Sequence, residues 1–180
     1  MYTAINLRSH PAAPAKAETP VQELIACHER IRHFTVVARR IAEACSIALE
    51  QVADAAADVY RYFTVALPLH EADENLSIDP RLEAALPDSE IAQASREMVR
   101  QHSEIRTVLN MLFPLWDALC REPEKLPAFA PRLLELSAEF DRLWDIHLKL
   151  EEETVFPAVE RTLDAATQAE IMREMRERRQ

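Results

Sequence analysis

Residues 147–157 read HLKLEEETVFP, and residues 70–80 read HEADENLSIDP, so the chain carries the pattern His-x3-Glu-x5-Pro twice. Residues four positions apart leave the same face of a helix, so each histidine points the same way as its glutamate. Apolar residues recur at helical spacing before each histidine, and Phe140 and Phe63 each lie seven positions ahead of it. The repeat therefore predicts two amphipathic helices, each with a His–Glu pair on its apolar face.

Two further histidines extend this plan to the other long periodic segments. His28 is followed by Ile31 and His102 by Ile105, so the chain reads as two similar helical hairpins. His33 lies five positions after His28, about 140° round the helix, and is expected to point elsewhere. Histidine is not a favoured core residue, and four on inward faces are unusual. Such a set predicts a dinuclear metal site in a bundle core. The predicted terminal ligands are His28, His70, His102 and His147, and the predicted bridging ligands are Glu74 and Glu151.

The first half of the chain contains signals for two long helices. Thr19-Pro20 is typical of a helix start, and the first helix is expected to reach the high forties. A second helix is predicted over residues 52–74, with a kink or a bulge at Pro68. Residues 75–87 contain two prolines and are predicted to form a connection.

The second half repeats this organisation. Asp88-Ser89 is predicted to cap a third helix, whose end Pro114 limits or bends. A connection rich in proline is expected over residues 122–131. The fourth helix is predicted to stop near Phe156-Pro157. Four long helices joined by short connections favour an all-α, up-down four-helix bundle.

Three regions are predicted along the chain. Residues 1–18 lack apolar periodicity and are expected to form a flexible tail. Residues 19–160 form the predicted bundle, and residues 161–180 form a C-terminal helical extension. Asp164 is predicted to cap this last helix, which ends in the basic run 173–179, expected to be a solvated helix end.

Composition excludes several classes of function. The 180 residues carry a net charge of −10, which disfavours a nucleic-acid partner. Glycine is absent, which excludes the dinucleotide fingerprint, the P-loop and the nucleophile elbow. The three cysteines form no CxxC pair, and the sequence shows neither a secretory signal nor a membrane span. The expectation is a cytoplasmic protein whose thiols, such as those of Cys27 and Cys45, are buried and inert.

The motifs resemble the hemerythrin-like domain, also called the HHE cation-binding domain. The residues that match are Leu24-x3-His28-x2-Ile31, the stretch PLHEADE at 68–74, His102 and the segment 147–157. The resemblance covers about residues 20–160. It implies a four-helix bundle with a non-haem di-iron centre, bridged by an oxo or hydroxo group and by Glu74 and Glu151. Zinc or manganese are substitutes that the same ligands would accept.

The resemblance also implies a function. Related proteins bind dioxygen, sense oxygen or nitric oxide, or supply iron for cluster repair. The expected activity is binding or sensing of dioxygen, nitric oxide or peroxide, rather than that of a dedicated enzyme. An iron donor for iron–sulfur cluster repair, a peroxide-detoxifying protein and a metal-free helical interaction module stay open as alternatives. A homodimer through the last helix is also left open.

The chain departs from the oxygen-carrying members of that family at two positions. Those members have a second histidine four residues after the helix-three histidine, where this chain has Arg106. They place an aspartate five residues after the last histidine, where the step here is four and the acid is Glu151. Arg106 is expected either to close the site with a salt bridge or to point to solvent. Three further carboxylates are candidates for hydrogen bonds that hold the ligand imidazoles; the alternative is that they are ordinary surface charges. They are Glu71, Asp73 and Glu152.

Overall fold

A computed structural model describes residues 17–44 and 47–180 of the chain. Within these ranges the backbone is almost entirely helical, and no strand occurs. The prediction of a flexible tail therefore lies mostly outside the described residues, and so does the prediction for Cys45. None of the described helices is long and apolar enough to cross a membrane.

The first helix begins where the sequence predicts. Helix α1 spans Pro20–Glu43, and Thr19 caps it by accepting a hydrogen bond from the backbone N–H of Gln22. The Gln22 side chain accepts in return from the backbone N–H of Thr19, which completes a capping box. The helix ends earlier than expected, because the backbone of Ala44 turns extended.

The second long helix is continuous from residue 49 to residue 85 and contains two wider π-turns. Its α-helical parts are α2 (Leu49–Arg61), α3 (Leu67–Asp73) and α4 (Asp79–Ala85). The π-turns between them span Tyr62–Ala66 and Glu74–Ile78. The predicted connection over residues 75–87 is therefore wrong for most of its length.

Prolines explain both the bulge and this error. Pro68, Pro80 and Pro157 each stand in the first turn after a π-turn. A proline removes an N–H donor and its ring crowds the preceding turn, which usually ends or bends a helix. Here the preceding turn widens instead, so that the N–H of Asp79 donates to the carbonyl of Glu74, five residues back. The bulge expected near Pro68 is present, and the helix continues past each proline.

In the second half of the chain, too, a proline lies within a helix. Helix α5 spans Glu90–Arg121 with Ser89 as its N-cap, and Pro114 lies inside it without ending it. After a short 3-10 turn at Pro123–Lys125, α6 spans Leu126–Leu150. The connection predicted over residues 122–131 is therefore shorter than expected, because its second half is already helical.

The last long helix also widens rather than stopping at Phe156-Pro157. A π-turn at Glu151–Val155 leads into α7 (Phe156–Thr162), and Asp164 then caps α8 (Ala165–Glu177) as predicted.

The long helices pack as the predicted all-α four-helix bundle. Helix α1 packs on α2 and α6, and α5 packs on the same two helices from the opposite side. One apolar cluster fills one end of the bundle and includes Ile31, Phe63 and Trp116. A second cluster fills the other end and includes Leu24 and Phe156, and α8 contributes Ile171, Met172 and Met175 to it. Buried histidines and glutamates belong to neither cluster.

Candidate metal centre

The six residues that the sequence singles out as ligands come together in the bundle core. All six are at most 2% exposed. They form two groups in which one potential ligand atom per residue lies within 4.8 Å of all the others. Both groups contain the same two glutamates, and each adds two histidines of its own. We call them the first group (His28, His70, Glu74, Glu151) and the second group (His102, His147, Glu74, Glu151).

The Glu74 carboxylate faces both groups, with one oxygen toward each. Its Oε1 lies 3.2 Å from His70 Nε2, and its Oε2 lies 3.3 Å from His102 Nε2. Glu74 opens a π-turn, and His70 lies one helical turn before it on the same strip of the helix surface. The repeated His-x3-Glu step thus directs an imidazole and a carboxylate to one point.

Glu151 has the equivalent arrangement on the opposite helix. Its Oε2 lies 3.0 Å from His28 Nε2, and its Oε1 lies 3.1 Å from His147 Nε2. It too opens a π-turn that precedes a proline. Each carboxylate therefore offers one oxygen to each histidine pair, which is the disposition of a bridging ligand.

The inward atoms are buried without hydrogen-bond partners, which tests whether a cation fits. The Nε2 atoms of the four histidines and both oxygens of each glutamate lack a hydrogen-bond partner among the described residues. Leaving buried polar atoms unpaired costs about 1–3 kcal/mol each, and more for a charged group. Cations between these atoms would satisfy them together. Imidazole nitrogens with carboxylate oxygens suit iron, and zinc and manganese also accept them.

The shifted pKa values of the core residues also favour bound cations. Burial, reinforced by the Glu151 carboxylate, raises the pKa of Glu74 well above its usual value. Burial also opposes ionisation of Glu151, but the adjacent His147 and His28 outweigh it and hold its pKa well below its usual value. Burial lowers the pKa of His102 to about 3. Two buried carboxylates repel each other when both are ionised, and bound cations would relieve this repulsion.

One outer partner of the histidines is a carboxylate predicted from the sequence. His28 Nδ1–H donates to Glu152 Oε1 over 2.7 Å, and Arg32 holds that carboxylate through contacts of 2.8 and 2.9 Å. Occupying Nδ1 in this way leaves the Nε2 lone pair of His28 directed into the core. Glu152 thus lies where a residue that orients a ligand imidazole is expected.

Two neutral amides do the same for the second group, and neither was predicted from the sequence. Gln101 donates to Glu97 through Nε2 over 2.9 Å, so its Oε1 accepts from His147 Nδ1–H at 3.2 Å. Asn75 Oδ1 accepts from His102 Nδ1–H, also at 3.2 Å. Each amide is next to a predicted ligand in sequence, a signal that a search limited to charged residues overlooks.

The two other carboxylates predicted to hold ligand imidazoles have different partners. Asp73 is fully buried but forms ion pairs with Arg178 and Arg179 rather than with an imidazole. Glu71 pairs with Arg106, whose side chain is 58% exposed. The prediction that Glu71 and Asp73 hold ligand imidazoles is therefore wrong. Their carboxylates pair instead with arginines, one on α5 and two just after the end of α8.

Three further predictions concern residues around this region. Arg106 forms a salt bridge with Glu71 while more than half of its side chain stays exposed, so it combines parts of both alternatives. His33 packs against Phe34 outside both groups, as expected. The basic run 173–179 is a solvated helix end only in part: Arg173 and Arg176 are exposed, as expected, whereas Arg178 and Arg179 are bound to the buried Asp73.

A cavity of about 490 Å³ lies beside the second group, between the second long helix and α5. Asn75, which holds His102, forms part of its wall, and so do Glu71 and Arg106. Phe63, Leu67 and Leu109 supply apolar walls. Asn75 both lines this cavity and accepts a hydrogen bond from His102, so it connects the cavity wall to the second group.

Comparison with known proteins identifies the family. A search of curated proteins gave no match. The family model described as the hemerythrin HHE cation-binding domain matches residues 19–159, with a further match over residues 93–179. The longer match contains all six clustered residues and most of the chain. The protein therefore belongs to the hemerythrin HHE cation-binding domain family.

Proposed function

We propose that this protein holds two non-haem iron ions in its core and uses them to bind or sense dioxygen, nitric oxide or peroxide. The observation that carries the proposal is the pair of groups sharing both glutamates, with every inward Nε2 and carboxylate oxygen buried and unpaired among the described residues. In this proposal His28 and His70 serve one ion, and His102 and His147 serve the other. Glu74 and Glu151 bridge the two.

The residues around the core support such a role through their own chemistry. A pair of iron ions would supply redox-active coordination positions for a small ligand. The protein would keep bulk water away from them, since the ring of Phe156 lies 5.0 Å from that of His28 and the ring of Trp144 lies 5.3 Å from that of His147. In this proposal a small molecule would approach the second group from the cavity lined by Asn75, since Asn75 contacts His102.

Metal content decides the first part of the proposal. We expect elemental analysis of protein produced with iron to give about two irons per chain. His147→Ala should lose metal, whereas His33→Ala, a histidine outside both groups, should retain it. Zinc or manganese in place of iron would keep the ligands but not the proposed redox role, and absence of metal in folded protein would favour the helical interaction module.

Ligand chemistry decides the second part. Iron-loaded protein is exposed to dioxygen, to nitric oxide and to peroxide while its absorption spectrum is followed. A spectral change that reverses when the ligand is removed is expected of a binding or sensing protein. Net consumption of peroxide would favour detoxification, and transfer of iron to an apo iron–sulfur protein would favour the repair role.

A further inference from the structure

The basic end of the last helix is bound directly beside Glu74. Arg178 Nη1 donates to Asp73 Oδ1 over 2.8 Å, and Arg179 Nη2 donates to Asp73 Oδ2 over 2.6 Å. Asp73 has no exposed surface and is the residue immediately before Glu74. Charge-assisted hydrogen bonds of this kind are roughly twice as strong as neutral ones, and here they fix both oxygens of one carboxylate.

A second set of contacts reaches the other side of Glu74. Ser77 lies in the π-turn that Glu74 opens, and Arg178 Nη2 donates to its hydroxyl oxygen over 2.5 Å. The Ser77 hydroxyl donates in turn to the carboxylate of Glu174, which Arg81 also binds over 2.7 Å. The last helix thus holds the chain both one residue before Glu74 and three residues after it.

The same helix packs on the segment that follows the other shared glutamate. Ile171 and Met175 are buried in one apolar cluster with Val155 and Phe156. Val155 closes the π-turn that Glu151 opens, and Phe156 packs against the ring of His28. This packing places α8 over the end of the bundle next to the first group.

We propose that Asp73, Arg178 and Arg179 form a clamp that positions Glu74 and thereby slows release of metal from the core. The inference rests on the proposed metal-binding function. A π-turn departs from the regular α-helical hydrogen-bond ladder, so the direction of the Glu74 side chain depends on what holds the turn from outside. The three residues act through Glu74 and are positioning residues rather than ligands. Outer partners that orient ligands typically change metal affinity by about 10–100-fold.

The test compares metal release from full-length variants. Metal-loaded protein is mixed with an excess of a coloured chelator, and the rate of metal transfer is recorded. We expect Arg178→Ala/Arg179→Ala to release metal about tenfold faster or more than the unmodified protein. Arg173→Ala/Arg176→Ala is the matched control, since it removes two arginines from the exposed face of the same helix.

A second readout needs no metal and separates positioning from general stability. In metal-free protein, hydrogen exchange of the backbone amides of residues 74–78 is expected to quicken in the clamp variant and not in the control. Arg178→Lys/Arg179→Lys keeps both charges and is expected to recover part of the slow release. If the double alanine variant does not fold, Asp73→Asn, which keeps the side-chain shape, carries the same comparison.

The outcomes separate the clamp from the metal-binding function. In one outcome the unmodified protein holds two metals and the folded clamp variant releases them at the same rate. This outcome would overturn the clamp and leave the proposed function standing. Equal acceleration in the clamp variant and the control would also overturn it, because the effect would then be general destabilisation. Unmodified protein that holds no metal would overturn both proposals.

Discussion

The two histidine pairs of the core are alike on the inside and different on the outside. In both pairs Nε2 lies 3.0–3.3 Å from an oxygen of a shared glutamate. In the second group both Nδ1 atoms donate to neutral amides, those of Asn75 and Gln101. In the first group His28 donates to the Glu152 carboxylate, and His70 Nδ1 has no hydrogen-bond partner among the described residues.

This difference shows which part of the centre the sequence repeat specifies. The repeated motif specifies the inner atoms, because the four-residue step and the π-turn before a proline recur at both glutamates. The outer partners lie at positions where the His-x3-Glu-x5-Pro repeat does not specify a residue type, so they differ between the two halves. A carboxylate partner makes an imidazole a more basic ligand than an amide does. We therefore expect two metal positions with different affinities.

Loss of a shared glutamate is expected to have the largest effect. Glu151→Ala removes one oxygen from each group, so both metals should be lost. Elemental analysis of metal per chain measures this, with the exposed Glu153→Ala on the same π-turn as control. Retention of one tightly bound metal in the Glu151 variant would contradict this prediction, because it would show that one group does not need the shared carboxylate.

Loss of a single histidine is expected to affect one metal position more than the other. His102→Ala should leave about one metal per chain, held by the first group, and His28→Ala should leave about one in the second group. Titration of metal-free protein with ferrous iron, followed by calorimetry, gives the number and affinity of the sites left. Loss of both metals in either variant would show that the two positions fill only together.

Much of this arrangement could be predicted from the sequence, and what could not has a physical reason. Helical periodicity and the four-residue step identified the bundle and its six inner residues. The helix ends beyond Glu74 and Glu151 were missed, because a proline normally marks a boundary and the π-turns that absorb Pro80 and Pro157 have no separate signature. Asn75 and Gln101 were missed because long-range hydrogen bonds depend on how the helices pack.

Changes in the residues that hydrogen-bond the ligand histidines are expected to have smaller effects than loss of a ligand. Gln101→Leu removes the acceptor of His147 Nδ1–H without adding a polar group, and metal affinity of the second group should fall by about tenfold. Glu152→Gln keeps an acceptor for His28 and removes only its charge, so the first group should weaken by less. Competition with a chelator of known affinity measures both changes.

The opposite order of these two losses in metal affinity would change the interpretation of the first group. A greater loss from Glu152→Gln than from Gln101→Leu would mean that negative charge beside His28, and not simply an oriented imidazole, holds the first metal. The contact of Glu152 with Arg32 makes Arg32→Gln a useful further variant, because it leaves the His28 hydrogen bond in place while freeing the carboxylate.

The smallest effect is expected at Arg106, where oxygen-carrying relatives would place a further histidine. Its side chain is 58% exposed and pairs with Glu71, so it supplies nothing to the inner atoms of the second group. Arg106→Gln should therefore leave metal content and affinity unchanged, as measured by elemental analysis and chelator competition. A clear fall in affinity would show that the Arg106–Glu71 pair, which lines the cavity beside Asn75, supports the second group after all. Unchanged affinity would mean that two histidines and the two shared carboxylates hold the second metal without help from the Arg106–Glu71 pair.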